Sequence, residues 1–482
     1  MGSRLDERKN HTVGEKSLRC RGAGRGKHRR TRRNRGFRVS VQVTVLTSLV
    51  NAGLGALAGV IISRYLGPSG RGTYAAINSY VFMAAIIGEC GISAAICYFV
   101  AQDPAGARDV MRTGAILLLG LGTLVGVVGI LVAPLLFDGA TAVAAARCVF
   151  AAEPLILASA SWVFALQACR IRIWNVVCTL QPAIYLLAIA SLAAIGLLDV
   201  KWALYFLIIS VGLQTITAAV LCRRAIPGRG RLRGRTARDL FGYGFPTLLS
   251  SVCYQANARL DVLVLALLVK PSALGQYSVA VSLGALPLTI TGALGKVAMP
   301  RLAAQRAVGA ASSAEAAVAG SARRLVTAAV GASLAIGLVM VTAISALATI
   351  AVPRIYGPDF AESIRLFWLL APGVVLLACN RTIDDVLRGL GRPLVVARCE
   401  GFGTVLTVIL LATLVPAFGV AAAAVTSSVA YAASFLLLVR AVLRAVDLSV
   451  TAAIGRLYRL VVTNVGQALS VGSSDIQEGN VP

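Results

Sequence analysis

The sequence has little histidine, little charge and no cysteine spacing typical of a metal site. Only two histidines occur in 482 residues, both within the first 28, so the commonest catalytic base and metal ligand is nearly missing. The ten cysteines show no C-x-x-C spacing and fall mostly in apolar stretches, where small buried thiols are expected. Neither a phosphate loop ending in GK[ST] nor a G-x-S-x-G nucleophile motif occurs. We therefore expect no enzymatic activity, no metal and no cofactor.

The sequence is instead dominated by apolar residues. Hydrophobic residues make up 57% of it and charged residues 14%, with a mean hydropathy of +0.80, which leaves too little polar surface for a soluble protein. Its apolar blocks are long enough to cross a hydrocarbon core of about 30 Å as helices. We predict an all-α integral membrane protein with twelve spans. The predicted spans are residues 39–62, 74–99, 113–136, 142–167, 173–198, 202–222, 241–269, 273–299, 325–351, 363–387, 394–416 and 419–443.

Lys and Arg are distributed unequally between the loops at the two ends of these spans. With the N-terminus inside, the inner loops hold 17 of these residues and the outer loops hold 5. Positively charged loops stay in the cytoplasm. We therefore predict a multi-pass protein of the cytoplasmic membrane with both termini in the cytoplasm. The first 38 residues are basic rather than apolar, so no cleavable signal peptide is expected.

The two ends of the chain are predicted to lie outside the spans. The segment 1–38 contains RGKHRRTRRNRGFR, a composition that suits nucleic acid, anionic lipid or a disordered positive-inside tail. It lacks the interleaved aromatic residues that stack on bases, so we favour a disordered cytoplasmic tail and expect no nucleic-acid partner. Residues 444–482 are predicted to form a C-terminal cytoplasmic tail with a short amphipathic stretch.

A Gly- and Pro-rich turn occurs twice in the sequence. The stretch RYLGPSGRGTY is followed about two hundred residues later by LVKPSALGQYSVA. Gly72 and Tyr74 align with Gly275 and Tyr277 at an offset of 203 residues. Both turns follow a predicted span at the outer end, so they occupy equivalent places in the two halves of the chain.

Two further landmarks repeat in the same order. Residues 132–139 resemble 351–360 at an outer end, and residues 166–175 resemble 385–396 at an inner end. Six spans in each half give the halves the same orientation, related by an axis along the membrane normal. The predicted organisation is an N-lobe of residues 39–222, an Arg-rich cytoplasmic linker of residues 223–240 and a C-lobe of residues 241–443.

Several motifs resemble one family of membrane proteins. They are SRYLGPSGRGTY (63–74), GISAAICYFVAQ (91–102), RLDVLVLALL (259–268) with LGQYSVA (274–280), MPRLA (299–303) and LRGLGRP (387–393). Their order and spacing are similar to those of oligosaccharide flippases, the polysaccharide-export branch of the multidrug, oligosaccharidyl-lipid and polysaccharide (MOP) superfamily. The resemblance implies a MATE/MOP-like fold with two six-helix lobes around a cavity that opens alternately to either side. It also implies transport of an undecaprenyl-linked glycan, with membrane lipids, a polysaccharide polymerase and glycosyltransferases as candidate partners.

Cationic residues deep in the spans are candidates for binding such a cargo. Ionisable residues at this depth usually face the bundle interior or a water-filled path, and Arg offers permanently charged, bidentate donors to a pyrophosphate. The candidates are Arg259, Arg381, Lys296 and Arg147. Pairing with a nearby carboxylate is an equal alternative for Arg259, through Asp261, and for Arg381, through Asp384 or Asp385. Lys296 and Arg147 lie close enough to span ends to reach the surface instead.

Acidic residues at similar depth are candidates for coupling transport to an ion. They are Glu89, Asp261 and Glu153. Glu89 lies near the middle of span two beside Gly88 and Gly91, which would let another helix approach closely. A carboxyl group at that depth suits a proton-coupling site unless a cavity arginine neutralises it.

Three functions remain open from the sequence. The favoured one is a flippase for a lipid-linked glycan that works by alternating access. A cation-coupled multidrug or metabolite antiporter of the same superfamily would be favoured by an acid-rich, aromatic-lined cavity, whereas several deep residues here are arginines. The third is a non-transporting membrane accessory of glycan synthesis. Peptidoglycan-precursor flippases usually have more spans and an arginine in the first span, which has no charge here.

Overall fold

The computed structural model describes the backbone of residues 11–226, 228, 230–309, 315–448 and 455. This part of the chain consists of α-helices and one short 3-10 helix, Pro358–Phe360. The helices are α1 (His11–Gly88), α2 (Ile92–Gln102), α3 (Ala107–Leu136), α4 (Ala140–Cys169), α5 (Ile171–Ala194), α6 (Val200–Ala225), α7 (Gly234–Leu268), α8 (Pro271–Gly309), α9 (Glu315–Ile355), α10 (Ala361–Gly389) and α11 (Pro393–Ala445).

Each predicted span lies mainly in α-helix. Nine helical segments within the described residues are long and apolar enough to cross a membrane. Two of them contain two spans each, because α1 breaks at Gly67 and α11 breaks at Gly419. Both glycines have a φ of 65°, a backbone conformation that glycine adopts at little cost. The helix α7 covers the predicted seventh span. The prediction of an all-α membrane protein with about twelve spans is therefore confirmed.

Predicted span two is interrupted. The helix α1 ends at Gly88 and α2 begins at Ile92, and Cys90 and Gly91 between them have positive φ. Non-helical backbone at membrane depth is tolerated where it is buried in protein. Here it packs on α7, since a Cβ atom on Gly244 would lie 2.7 Å from the Cys90 carbonyl oxygen. The close helix approach expected beside Glu89 is therefore present.

Several helices extend beyond the apolar blocks. The helix α6 continues to Ala225 and α7 begins at Gly234, so the non-helical part of the linker is shorter than the predicted 223–240. The helix α1 begins at His11, where the sequence predicts a disordered tail through residue 38. Lys and Arg are good helix formers, so the helix of the first span can extend into the basic segment that precedes it. Residues 1–10 and most of the predicted C-terminal tail lie outside the described residues.

The spans form an N-lobe (residues 43–225, α1 to α6) and a C-lobe (residues 234–445, α7 to α11). We call the end of the bundle that carries residues 223–238 the linker end, and the end that carries residues 64–74 the turn end. Toward the linker end one core, around Leu166, consists of N-lobe residues and Leu240 of α7, and another, around Leu387, consists of C-lobe residues. At the turn end a single core includes residues of both lobes. The lobes therefore share a core at the turn end, whereas toward the linker end α7 of the C-lobe packs on the N-lobe.

The two copies of the repeated turn contact each other at this end. A Cβ atom on Gly72 would overlap the carbonyl oxygen of Pro271, and a Cβ atom on Gly275 would overlap the carbonyl oxygen of Pro68. The two prolines are separated by the same 203 residues as the two glycines. The contact is therefore reciprocal, as two lobes related by an axis along the membrane normal require.

Candidate functional site

A cavity of about 520 Å³ lies between the lobes toward the linker end. Its N-lobe wall is the part of α1 at residues 44–49, which contributes the hydroxyl groups of Thr44 and Ser48. Its C-lobe wall is formed by α7, α8 and α10. Small and apolar residues of α8 make up about half of that wall. The cavity therefore has lining residues from both lobes and can respond to any movement between them.

The charged part of the cavity wall is mainly cationic. Lys296, Arg381 and Arg388 line it together with a single carboxylate, Asp385. The Arg388 Nη1 atom lies 3.5 Å from the Asp385 Oδ1 atom, one turn away on α10. Three cationic side chains against one carboxylate give the lining an excess of positively charged groups. The cavity is therefore suited to an anionic ligand.

Two of the four predicted cationic residues line this cavity. They are Arg381 and Lys296. Arg259 lies elsewhere on the lobe boundary, with its Cζ atom 4.2 Å from the centre of the Phe82 ring in a cation–π contact. Arg147 is exposed on α4, where its Nε atom donates a hydrogen bond to the Ile130 carbonyl oxygen at 3.3 Å. Arg259 and Arg147 are not among the residues that line the cavity.

The three predicted coupling carboxylates lie in three different places. Glu89 is half-buried in the turn between α1 and α2. Asp261 is buried in the C-lobe and accepts hydrogen bonds from the Tyr277 hydroxyl at 2.5 Å and the Val262 N–H at 2.8 Å. Glu153 is fully buried in the N-lobe, and neither of its carboxylate oxygens has a hydrogen-bond partner in the part of the chain that the structure describes. The structure does not bring these three groups together.

A buried pair of carboxyl groups was missed at the level of the sequence. Asp384 on α10 and Glu400 on α11 are both buried and interact with each other. Asp384 also lies within electrostatic reach of Arg381 and Arg388, so the pair is next to the charged wall of the cavity. The sequence feature that could have revealed this pair is Glu400, a single glutamate inside the apolar eleventh span.

Arg71 was also missed, because its position in a Gly-rich turn suggests an exposed loop residue. It lies between the lobes instead. Its Nε atom donates to the Ser278 hydroxyl oxygen at 3.2 Å, and its Nη2 atom donates to the Ser282 hydroxyl oxygen at 3.3 Å. A second arginine of the same turn, Arg64, donates from Nη1 to the Arg354 carbonyl oxygen at 2.6 Å. The N-lobe turn therefore contributes two cationic contacts to the C-lobe.

A family model for polysaccharide biosynthesis proteins matches residues 38–305, which is more than half of the chain. The chain belongs to this family. The matched residues include all of the N-lobe spans, the linker and the first two spans of the C-lobe. No curated protein sequence gives a significant match.

Solved structures of transporters share the fold at low sequence identity. The lipid II flippase MurJ in an inward closed conformation superimposes with a TM-score of 0.67 at 13% identity, over 87% of this chain and 92% of MurJ. An inward-facing multidrug resistance MATE family transporter of the MOP superfamily gives 0.64 at 15% identity, over 84% of this chain and 98% of that transporter. A variant of the Vibrio cholerae MATE transporter VcmN gives 0.55 at 15% identity, over 84% of this chain and 95% of VcmN.

The chain therefore belongs to the polysaccharide biosynthesis family and has the fold that the MurJ flippase and the MATE transporters of the MOP superfamily share. The predicted two-lobe architecture is confirmed by the extent of these superpositions, since both transporter types are covered almost completely. The family, together with the fold that the chain shares with MurJ and MATE transporters, also confirms the prediction that the protein is not an enzyme.

Proposed function

We propose that this transporter moves an undecaprenyl-pyrophosphate oligosaccharide across the cytoplasmic membrane for the assembly of a surface polysaccharide. The observation that carries this proposal is the cationic cavity between the lobes. A pyrophosphate carries several negative charges, and guanidinium groups bind it through charge-assisted, bidentate hydrogen bonds. Membership of a polysaccharide biosynthesis family supports a glycan cargo. The similar fold of a flippase that acts on lipid II supports a lipid-linked one.

The cavity residues have distinct roles in this proposal. Arg381 and Lys296 hold the pyrophosphate from the C-lobe, and Arg388 adds positive charge while it is paired with Asp385. Thr44 and Ser48 supply hydroxyl groups from the N-lobe side. A cargo held by both lobes is sensitive to their relative movement, which is what alternating access needs. The polyprenyl chain stays in the lipid during this movement.

The same proposal places the linker end, and both termini, in the cytoplasm. The loops at this end hold 17 Lys and Arg residues against 5 at the other end, and such loops are retained in the cytoplasm. The lobes share one core at the turn end, so this structure corresponds to the state that receives cargo from the cytoplasm. Release on the outer side requires the turn end to open and the cavity to close toward the cytoplasm.

We propose that the coupling ion is a proton and that it binds at Glu153. A sodium ion needs several oxygen ligands, and the Glu153 carboxylate has no hydrogen-bond partner among the described residues. A carboxyl group can carry a proton without further ligands, and its ionised form is costly in such surroundings. Glu89 and Asp261 remain candidates for the same role, and Asp261 already has two hydrogen-bond donors.

A flipping assay tests the role of the cavity. The full chain is reconstituted in proteoliposomes with a fluorescent undecaprenyl-pyrophosphate oligosaccharide, and the transfer of the probe between leaflets is measured. We expect Arg381→Gln and Lys296→Gln each to slow flipping about tenfold or more, because each removes a charge-assisted hydrogen bond to the pyrophosphate. The control is Arg147→Gln, which removes an exposed cation outside the cavity lining. Equal rates for the folded cavity variants and the control would contradict the proposal.

A cation-coupled multidrug antiporter is the second candidate, since a MATE transporter shares the fold almost as closely as the flippase does. The charge of the cavity argues against it, because a wall with three cations and one carboxylate repels cationic drugs. Transport of a cationic dye by the same proteoliposomes, with no flipping of the lipid-linked probe, would favour the antiporter.

A further inference from the structure

Arg71 is a cationic residue on the lobe boundary at the turn end, away from the cavity lining. It belongs to the N-lobe, and its guanidinium group reaches Ser278 and Ser282 on α8 of the C-lobe at 3.2 Å and 3.3 Å. Its Cζ atom lies 5.9 Å from the centre of the Tyr74 ring. All of these partners are neutral. No carboxylate forms an ion pair with Arg71 in the described part of the chain.

The two serine hydroxyls are fixed as hydrogen-bond acceptors for this arginine. Ser278 donates its own proton to the Gly275 carbonyl oxygen at 2.9 Å, and Ser282 donates to the Ser278 carbonyl oxygen at 2.7 Å. Each hydroxyl oxygen therefore directs a lone pair at the guanidinium group. The two hydroxyl groups replace the hydrogen bonds that water would accept from the guanidinium group, but they supply no negative charge. The confined positive charge of Arg71 is therefore not compensated by them and can bind an anion strongly.

The contacts of Arg71 depend on the closed turn end. The arginine and the serines belong to opposite lobes, so separation of the lobes at this end removes both acceptors from the guanidinium group. Tyr74 interacts electrostatically with both Arg71 and Arg259. Arg259 is thus a second cation near Tyr74 on the boundary between the lobes.

We propose that Arg71 binds the pyrophosphate of the cargo when the turn end opens, and that Ser278 and Ser282 occupy its guanidinium group while this end is closed. The proposal rests on the proposed function. A pyrophosphate forms charge-assisted, bidentate hydrogen bonds with a guanidinium group, which are stronger than those of two hydroxyls. The cargo and the serines then compete for one side chain, and occupancy by the cargo favours the outward-open state.

Arg64 provides a matched control from the same turn. It also crosses the lobe boundary, but it is exposed and donates to the carbonyl oxygen of Arg354 at the C-terminal end of α9. The end of a helix carries partial negative charge, which compensates this cation. Loss of Arg64 therefore removes a contact between the lobes without removing a site for an anion.

The test measures binding of undecaprenyl pyrophosphate to the purified full chain in detergent, with undecaprenol as the probe without phosphate. We expect Arg71→Gln to lower the affinity for undecaprenyl pyrophosphate about tenfold or more and to leave binding of undecaprenol unchanged. Arg71→Lys is expected to lose less, because it keeps a positive charge. Arg64→Gln is expected to bind like the wild type. The double variant Ser278→Ala/Ser282→Ala is expected to bind more tightly, because the competing acceptors are gone.

The direction of the change in the double serine variant decides between a binding site and a closing contact. If Arg71 only closes the turn end, Arg71→Gln and the double serine variant act in the same direction, and the proposal is wrong. If Arg71→Gln does not fold, Arg71→Lys takes its place in this comparison, because it keeps the positive charge but loses the bidentate donors. A second arm uses inorganic pyrophosphate, and an effect of Arg71→Gln on inorganic pyrophosphate alone would also overturn the proposal. Failure of the wild type to bind the lipid would instead overturn the proposed function, and this inference with it.

Discussion

Gly72 and Gly275 lie backbone to backbone across the lobe boundary, each so close that a Cβ atom on it would overlap the turn of the other lobe. Gly72 and Gly275 are equivalent positions of the repeat, so each lobe makes the contact with the same residue of its turn. It explains why both halves of the chain need a glycine after the proline of the turn: only a residue without a side chain lets the two backbones approach to this distance.

Substitution of Gly72 by Ala is expected to shift the transporter toward the outward-open state. The added methyl group cannot fit between the closed turns, and overpacking of this kind costs about 1–3 kcal/mol. A cysteine at position 282, at the closed boundary, should then react faster with a membrane-impermeant thiol reagent from outside. The control is Gly53→Ala, since nothing lies within 4 Å of a Cβ atom at Gly53. Unchanged labelling in folded Gly72→Ala protein would show that this contact does not close the turn end.

The proposed orientation predicts labelling from opposite sides of the membrane. Positions 69 and 272 are exposed at the turn end, and position 234 is exposed at the linker end. Cysteines placed at Ser69 or Ser272 should react with an impermeant thiol reagent in intact cells, whereas one at Gly234 should react only after lysis. Labelling of position 234 in intact cells would reverse the orientation and place the Arg-rich linker outside.

Replacement of Glu153 by Gln is expected to leave the protein folded and to remove its response to a proton gradient. The amide has nearly the same shape as the protonated carboxyl group but cannot release a proton. In proteoliposomes, a pH gradient should accelerate flipping by the wild type and have no effect on Glu153→Gln. The control is Glu362→Gln, at an exposed carboxylate at the start of α10. A normal response of Glu153→Gln to the gradient would transfer the coupling role to Glu89 or Asp261.

The spans, the lobes and part of the cavity follow from the sequence, because hydropathy and the repeat depend on local composition. Arg381 and Lys296 were found in this way, since a cation inside an apolar span is conspicuous. Arg71 was not found from the sequence, because the composition of its turn is typical of an exposed loop and its burial depends on contact with the other lobe. For Arg147 the structure shows the surface position that the sequence left open as the alternative, because depth along a span does not reveal which side of the helix faces the cavity.

The linker makes contacts that hydropathy could not indicate. Asp109 at the start of α3 accepts a hydrogen bond from the Arg231 N–H at 2.7 Å, and its other oxygen lies 2.9 Å from the Arg233 Nε atom. Arg112 donates to the Gly230 carbonyl oxygen at 2.7 Å. The part of the linker that precedes α7 is therefore bound to the N-lobe, and the position of a cut in the linker decides which half of the chain carries these contacts.

Two cuts in the linker are expected to differ in function when the halves are co-expressed. A cut after residue 228 leaves Arg231 and Arg233 on the C-terminal half, where they bind Asp109 and join the two halves. A cut after residue 233, just before α7, leaves them on the N-terminal half, where they do not join the two halves. Arg233 is largely exposed, with 62% of its side chain accessible, so its ion pair contributes at most about 1 kcal/mol, and we expect a difference in surface glycan of about two- to fivefold. Asp109→Asn should reduce that difference. No export from either pair, with both halves stably inserted, would contradict a transporter built from two separable lobes.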